Sequence, residues 1–127
     1  MDEKKKIFVA DDDPAILDAL KIILEEVGYE VETSVNGRIF QTNKEHLPDL
    51  LLLDIWMSGL DGGAICKQLK TQDLTKHIPV IMISANKDLE QITKDAGADD
   101  FIEKPFQMVN LLAKIDTYIN LDTKVNL

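Results

Sequence analysis

The run Leu50-Leu51-Leu52-Leu53-Asp54 decides the fold, because four leucines end abruptly in a carboxylate. Pro48-Asp49 precedes the run and Ser58-Gly59 follows it, so turn-forming residues bound it on both sides. A short, uninterrupted apolar run is typical of a strand that is buried on both faces of a parallel sheet. We therefore expect Asp54 at the carboxyl rim of such a sheet, where open α/β sheets bind their ligands.

Strand-like and helix-like segments alternate along the rest of the chain. In the helix-like segments apolar residues recur three and four positions apart. The first such segment has Asp13 as its N-cap, Pro14 at its first helical position and Gly28 at its end. The patterns predict strands at 7–10, 29–33, 49–54, 79–83 and 100–103, and helices at 14–27, 36–46, 62–71, 87–96 and 106–120.

This order is a βα unit repeated five times, which predicts an α/β fold. Strands joined by helices of this length are parallel, with right-handed crossovers. We expect a doubly wound, flavodoxin-like sheet of five parallel strands in the order 2-1-3-4-5, with helices on both faces. The first and third strands are then neighbours. One domain is expected over residues 1–120, followed by a tail or the start of a linker over 121–127.

The composition of the 127-residue chain limits the partners it can have. A net charge of −9 disfavours direct binding to nucleic acid or to an anionic membrane. Cys66 is the only cysteine, so an intramolecular disulfide is impossible. The charged N-terminal residues do not resemble a signal peptide, and no apolar run approaches the roughly 20 residues of a membrane span. We expect a cytoplasmic protein.

Acidic residues end two of the predicted strands, and a basic residue follows a third. Asp11 and Asp12 follow the first strand, Asp54 ends the third, and Lys104 follows the fifth. Carboxylates placed together repel each other, which raises at least one pKa unless a cation intervenes. Their oxygens suit Mg²⁺ or Mn²⁺, and the backbone carbonyl of Trp56 is a further candidate ligand. The sequence thus predicts a divalent cation site at the rim.

A carboxylate beside a divalent cation and a lysine can act as a nucleophile toward phosphorus. The cation and Lys104 would neutralise charge on the transferred oxygens, and Ser84, at the end of the fourth strand, would donate a hydrogen bond. The product would be an aspartyl phosphate on Asp54. Each residue alone also has a structural interpretation: a helix cap for the acids, a turn for Lys104-Pro105, and a loop hydroxyl for Ser84. Their expected placement at one rim favours a role in phosphoryl transfer over these structural interpretations.

These residues resemble the CheY-like receiver domain of bacterial two-component response regulators, over about residues 5–120. The resemblance depends on five motifs taken together, since each alone is weak. The motifs are Phe8-Val9-Ala10-Asp11-Asp12-Asp13-Pro14, Leu51-Leu52-Leu53-Asp54-Ile55-Trp56-Met57, Gly59-Leu60-Asp61-Gly62, Pro79-Val80-Ile81-Met82-Ile83-Ser84-Ala85, and Ala96-Gly97-Ala98-Asp99-Asp100-Phe101-Ile102-Glu103-Lys104-Pro105-Phe106.

The resemblance implies a site and a phosphodonor. Asp54 would be the phosphoacceptor, Asp11 and Asp12 would hold Mg²⁺, and Ser84 and Lys104 would contact the phosphoryl group. The donor would be a sensor histidine kinase or a histidine phosphotransfer protein. The domain would not be a conventional enzyme, although it would promote its own phosphorylation and dephosphorylation.

The resemblance also implies a switch. Ser84 would move toward the phosphoryl group, and Phe101, at the position of the switch aromatic, would turn inward. This would remodel the surface of the fourth predicted helix (87–96), the fifth strand (100–103) and the fifth helix (106–120). An effector domain or a downstream protein would bind there, and a homodimer could form through it on phosphorylation.

Three alternatives remain open at this stage. The triplet Asp11-Asp12-Asp13 fits the nucleophile motif of haloacid-dehalogenase-like phosphatases, but the chain is short for that family and Asp54 is left unexplained. A flavodoxin-like cofactor carrier is disfavoured, because three aspartates would repel the FMN phosphate. A non-phosphorylated interaction module on the same fold is opposed by the complete set of acids and lysine.

Two residues near Asp54 depart from the pattern of the family. Ser58 stands where many members have proline. Trp56 is bulky, and we interpret it as a shield that slows hydrolysis of the acyl phosphate.

Overall fold

The computed structural model describes residues 4–35, 47–57 and 59–120. The predicted helix at 36–46 and the tail at 121–127 lie outside the described residues. Among those described, no helix is both long and apolar enough to cross a membrane. The elements are β1 (Lys6–Ala10), α1 (Pro14–Val27), β2 (Glu30–Ser34), β3 (Leu50–Asp54), β4 (Trp56–Met57), β5 (Leu60–Asp61), α2 (Gly62–Lys70), β6 (Val80–Ser84), α3 (Leu89–Ala96), β7 (Asp100–Glu103) and α4 (Met108–Ile119).

Five parallel strands form the main sheet in the order β2-β1-β3-β6-β7. Counted along the chain within this sheet, the order is 2-1-3-4-5, so the predicted topology is confirmed. The register pairs Ala10 of β1 with Leu53 of β3, so the residues that follow each strand emerge side by side. Asp11 and Asp54 are thereby placed at the same rim.

The sheet separates two hydrophobic cores. Ile7 and Val9 of β1 pack in one core with α1 and α4, whereas Phe8 and Ala10 pack in the other with α2 and α3. The leucines of β3 divide between the cores in the same alternating way, and every residue of this strand is buried. Truncating one such buried leucine to alanine typically costs about 2–5 kcal/mol of stability. This packing fixes the strand that carries Asp54.

Side chains at the helix ends explain where the helices begin and stop. The Asp13 carboxylate caps α1 by accepting the Ala15 N–H at 3.0 Å, and Gly28 ends it with φ +114°, as the sequence predicts. The start of α3 differs from the prediction by two residues. The side-chain oxygen of Asn86 accepts a hydrogen bond from the Asp88 N–H at 2.8 Å, and its backbone carbonyl accepts one from the Leu89 N–H at 3.2 Å. These two bonds form a turn before the helix.

A short antiparallel ribbon, β4 with β5, follows Asp54 and was not predicted from the sequence. It pairs Trp56 with Asp61. Directly after it, the Gly62 N–H donates to the Ile55 carbonyl. A Cβ atom on Gly62 would overlap the backbone carbonyl oxygen of Asp54. The first residue of α2 must therefore lack a side chain for the helix to begin against the backbone of Asp54.

We expect Gly62→Ala to destabilise the protein by about 1–3 kcal/mol, because the added methyl group must displace the Asp54 backbone. An ordinary Gly→Ala change in a helix stabilises it by about 0.5–1 kcal/mol, so the sign is diagnostic. Urea unfolding monitored by circular dichroism measures the difference. Lys67→Ala, at an exposed position of the same helix, is the control and should stay within about 0.5 kcal/mol of the parent. A Gly62→Ala variant as stable as the parent would contradict the close contact.

Candidate functional site

Three carboxylates meet at the carboxyl rim of the sheet. Asp11, Asp12 and Asp54 each offer an oxygen, and these oxygens all lie within 4.8 Å of one another. Asp11 and Asp54 are buried, whereas Asp12 is exposed. The cluster therefore opens to solvent on the side of Asp12 and is enclosed on the side of the sheet.

Local backbone contacts hold Asp11 in place. Its own N–H donates to the Ser34 carbonyl at 3.1 Å, and its Oδ1 accepts the Asp13 N–H at 3.0 Å. The second contact is an Asx-type turn, which aspartate forms readily before a helix. The spacing of Asp11 and Asp13 just ahead of Pro14 is a sequence signal for this turn, and Asp13 also caps α1 as predicted.

Lys104 supplies positive charge at the same rim. Its Nζ donates to Asp11 Oδ2 at 2.9 Å and lies 3.7 Å from Asp54 Oδ2. Its backbone N–H donates to the Ser84 carbonyl at 3.0 Å, and its bond to Pro105 is cis. Burial disfavours the charged lysine, but the hydrogen bond and charge of Asp11, and then the charge of Asp54, outweigh it. The pKa of Lys104 is therefore raised above its ordinary value, and the side chain stays cationic.

The pKa of Asp54 is raised by this arrangement. Burial and then the charge of Asp11 raise its pKa from 3.8 to about 6. The charge of Lys104 lowers the pKa of Asp54, and so does the backbone N–H of Trp56, which donates to Asp54 Oδ1 at 3.4 Å. The charge of Asp12 raises it further. One lysine is thus insufficient to neutralise the three carboxylates. A bound cation would lower the pKa of Asp54 and keep the carboxylate ionised.

The remaining predicted site residues are arranged around this centre. Ser84 ends β6, the strand next to β3, and its buried Oγ accepts the Asn86 N–H at 3.1 Å. Phe101 lies one strand further away, opposite Met82, and is half-buried against the core under α2 and α3. Trp56 belongs to β4 rather than to an irregular loop, and its side chain is 56% exposed. Acids and lysine are therefore brought together, while Phe101 is separated from Asp54 by β6.

We expect Asp54→Asn to stabilise the cation-free protein at pH 7. Because the folded-state pKa is raised, ionising Asp54 costs stability as the pH rises from about 4 to about 6, and the full cost applies above that range. At about 1.4 kcal/mol per pKa unit, less some screening, removing the charge should raise the free energy of unfolding by about 1–3 kcal/mol at pH 7.

The same difference between parent and Asp54→Asn should shrink toward zero at pH 4, where the parent carboxyl is protonated. Urea unfolding at pH 4, 5, 6 and 7 in the presence of a chelator measures it. Asp73→Asn is the matched control, since the Asp73 side chain is 96% exposed and lies outside the cluster. If the difference in free energy of unfolding between the parent and Asp54→Asn does not change with pH, the pKa of Asp54 is not raised in the folded protein.

The family model described as "Response regulator receiver domain" matches residues 7–116. The chain belongs to the response regulator receiver family. A CheY-like receiver domain protein from Methanospirillum hungatei has a TM-score of 0.86 and 33% identity, covering 96% of this chain and 98% of its own. The receiver fold of this chain is thus shown by the family model and by the likeness to a solved receiver structure. This match favours the receiver interpretation over a phosphatase or a flavodoxin-like carrier.

Curated relatives extend well beyond the receiver domain. RpaA of Synechocystis sp., a DNA-binding dual master transcriptional regulator, is 38% identical over 113 residues, which is 87% of this chain and 47% of that protein. The probable transcriptional regulator ycf27 of Cyanophora paradoxa is 42% identical over 118 residues, which is 88% of this chain and 47% of that protein. This receiver chain spans about half the length of the curated relatives that it matches.

Proposed function

We propose that this receiver domain accepts a phosphoryl group on Asp54 in a reaction that requires Mg²⁺ or Mn²⁺. The single observation that carries the proposal is the convergence of Asp54 with Asp11, Asp12 and Lys104 at one rim. Placing a buried carboxylate next to another costs stability, and perturbed groups of this kind cluster at functional sites. Residues 1–120 are proposed to form the domain, with 121–127 as a tail or the start of a linker.

The residues present fit a hard divalent cation. Carboxylate oxygens are the ligands that Mg²⁺ prefers, and those of Asp11, Asp12 and Asp54 lie within 4.8 Å of one another. Burial and then the charge of Asp11 raise the pKa of Asp54, and a bound cation would oppose both effects. Asp11, Asp12 and Asp54 would hold the cation, together with the backbone carbonyl of Trp56. When bound, the cation would neutralise charge on the phosphoryl oxygens and orient them.

The side chains of the domain would do the rest of the chemistry. An oxygen of Asp54 attacks phosphorus, an Asp54 O–P bond forms, and the bond from phosphorus to the donor breaks, so the leaving group departs with the electron pair. Lys104 lies 3.7 Å from Asp54 Oδ2 and can turn toward the incoming phosphoryl oxygens. Ser84 would exchange its Asn86 contact for a hydrogen bond to one of them. In the self-dephosphorylation, water would attack phosphorus, the Asp54 O–P bond would break, and inorganic phosphate would leave while Asp54 is restored as a carboxylate.

The donor and the output are proposed from the receiver family and from the charge of the chain. A phosphohistidine on a sensor histidine kinase or a histidine phosphotransfer protein would supply the phosphoryl group. Movement of Ser84 and Phe101 would remodel the surface formed by α3, β7 and α4. That surface would bind an effector domain or a downstream protein, or a second copy of the chain after phosphorylation. Direct binding of nucleic acid or membrane by this domain is not expected at a net charge of −9. A cytoplasmic location remains a prediction.

Incubation with acetyl phosphate and Mg²⁺ should add the mass of one phosphoryl group to the intact protein. The gain should be absent in Asp54→Asn and in the presence of a chelator, and its initial rate should fall at least about tenfold in Lys104→Ala. Asp73→Asn, an exposed carboxylate outside the cluster, should react like the parent. Intact-mass spectrometry is the measurement. No gain in the parent would favour the non-phosphorylated interaction module instead.

Trp56→Asn should shorten the lifetime of the phosphorylated protein by at least about fivefold, equivalent to about 1 kcal/mol in the hydrolysis barrier. The bulky indole belongs to the residue two positions after Asp54, and the backbone N–H of that residue donates to the Asp54 carboxylate. The smaller side chain of asparagine should therefore admit water more readily. Decay of the phosphoryl mass after removal of the donor gives the rate. Trp56→Phe keeps an aromatic ring and should change the lifetime less. Equal lifetimes in Trp56→Asn and the parent would remove the shielding role.

A further inference from the structure

We propose that a cavity at the amino rim of the sheet binds a small zwitterion of the amino-acid type, with one carboxylate, one ammonium group and an apolar side chain. The amino rim is the edge at which the parallel strands begin, so it lies opposite the rim that carries Asp54. Lys5, Asp49 and Pro79 directly precede β1, β3 and β6, and all three line the cavity. The inference does not depend on the proposed function, because it requires no phosphorylation.

The cavity is built like a small ligand site. Its volume is about 210 Å³, which is room for several water molecules or for one small organic molecule. Its apolar walls include Pro48, Ile78 and Ile119, which are all buried. The charged or ionisable residues that line it are exposed to solvent, and they are Lys5, Asp49 and His77. Apolar walls with a few convergent polar groups are typical of sites for small molecules.

Contacts within the chain hold the cavity in shape. Asp49 Oδ2 accepts the Lys6 N–H at 2.7 Å, and the Asp49 N–H donates to the Lys6 carbonyl at 2.8 Å. The Tyr118 hydroxyl lies 3.0 Å from the Asp99 carbonyl oxygen and 3.1 Å from Asp100 Oδ2, which fixes the aromatic ring at the cavity. A preformed site loses little conformational entropy on binding, and this favours affinity.

Lys5 and His77 supply hydrogen-bond donors for a carboxylate. Among the described residues, neither side chain has a hydrogen bond or an ion pair. A lysine ammonium offers three N–H donors, and a neutral imidazole offers one. A carboxylate bound in the cavity would give these side chains the acceptor that they lack.

Asp49 and the carboxyl end of α4 favour a positive group. Within the part of the chain that the structure describes, the Oδ1 atom of Asp49 has no partner, since the Lys6 N–H bonds to Oδ2. The last residue of α4, Ile119, lines the cavity, and the last turn of this helix contains no basic residue. Carbonyl oxygens at the carboxyl end of a helix carry partial negative charge and attract cations. An ammonium group would therefore be stabilised on this side.

The opposite charges of the cavity are not paired with each other. No ion pair joins Lys5 to Asp49 in the described ranges, although both residues line the cavity. A ligand with only a carboxylate would be repelled by Asp49, and a ligand with only an ammonium group would be repelled by Lys5. A zwitterion can satisfy both residues while its side chain packs on the apolar walls. The charges thus select the zwitterion over either singly charged molecule.

Titration with three probes that share one apolar body tests this selection. The probes are phenylalanine, hydrocinnamate, which lacks the ammonium group, and phenethylamine, which lacks the carboxylate. Proton–nitrogen correlation NMR of the parent should show saturable shifts at the amides of Asp49, His77 and Tyr118 and none at Asp11. Phenylalanine should bind at least about fivefold more tightly than either analogue. Asp54→Asn should bind phenylalanine with the affinity of the parent.

Two variants separate the two halves of the site. Lys5→Gln should weaken the binding of phenylalanine and hydrocinnamate at least about fivefold, without weakening that of phenethylamine. Asp49→Asn can still accept the Lys6 N–H, and it should weaken the binding of phenylalanine and phenethylamine but not that of hydrocinnamate. Lys4→Gln and Asp73→Asn are the matched controls, at exposed positions that do not line the cavity, and should bind like the parent.

Several results would overturn the inference. These are the absence of saturable shifts at the cavity in the parent, binding of either analogue as tight as that of phenylalanine, and phenylalanine binding that is unchanged in both Lys5→Gln and Asp49→Asn. Weaker phenylalanine binding in Asp54→Asn would place the ligand at the opposite rim and overturn it too. The uptake of a phosphoryl group is measured separately, so the failure of either proposal leaves the other standing.

Discussion

The repulsion between Asp11 and Asp54 is the constraint on which the site depends. The two residues lie at the ends of neighbouring strands whose register places Ala10 opposite Leu53, so their backbones cannot separate without moving the sheet. Burial of both strands between two cores makes that movement costly. Burial and the charge of Asp11 raise the pKa of Asp54 to about 6, although Lys104, which bonds to Asp11, lowers it. Three carboxylates near one lysine leave an excess of negative charge at this rim.

Contacts at the backbone of Asp54 and Ile55 connect this charge to the rest of the domain. The N–H of Gly62 donates to the Ile55 carbonyl, and α2 begins against the Asp54 carbonyl. The N–H of Lys104 donates to the Ser84 carbonyl, so the loop after β7 and the end of β6 are joined at the same rim. The strand ends around the site therefore form one connected unit. Ser84 accepts the Lys104 N–H on its carbonyl and the Asn86 N–H on its Oγ, so it contacts both the loop after β7 and the turn before α3.

Ion pairs fasten the edge strand β7 to helices on both faces of the sheet. The lysines Lys70 and Lys114 bind the consecutive acids Asp99 and Asp100 from opposite faces. The turn that leads into α3 adjoins the site through the bond from the Asn86 N–H to Ser84 Oγ.

The sequence by itself determined the topology, because hydrophobic periodicity distinguishes buried strands from amphipathic helices and parallel strands end at one rim. It also determined the cap at Asp13, whose carboxylate accepts the backbone N–H of Ala15 only two residues away. The convergence of Asp11, Asp12, Asp54 and Lys104 followed from the same topological rule. These features depend on local pattern or on strand order alone.

Only the tertiary structure decided the contacts that depend on how elements pack. Hydrophobic periodicity does not encode the distances behind three features of the fold. These are the close approach of Gly62 to the Asp54 backbone, the β4–β5 ribbon, and the start of α3 two residues later than predicted. The joining of Lys114 to Asp100 likewise required α4 to be placed against β7 at one particular rotation. The pKa of Asp54 belongs with these, since desolvation and the positions of three charged neighbours set it. The electrostatic interactions that set such a pKa weaken as the distance between the charges grows, and only the folded structure fixes those distances.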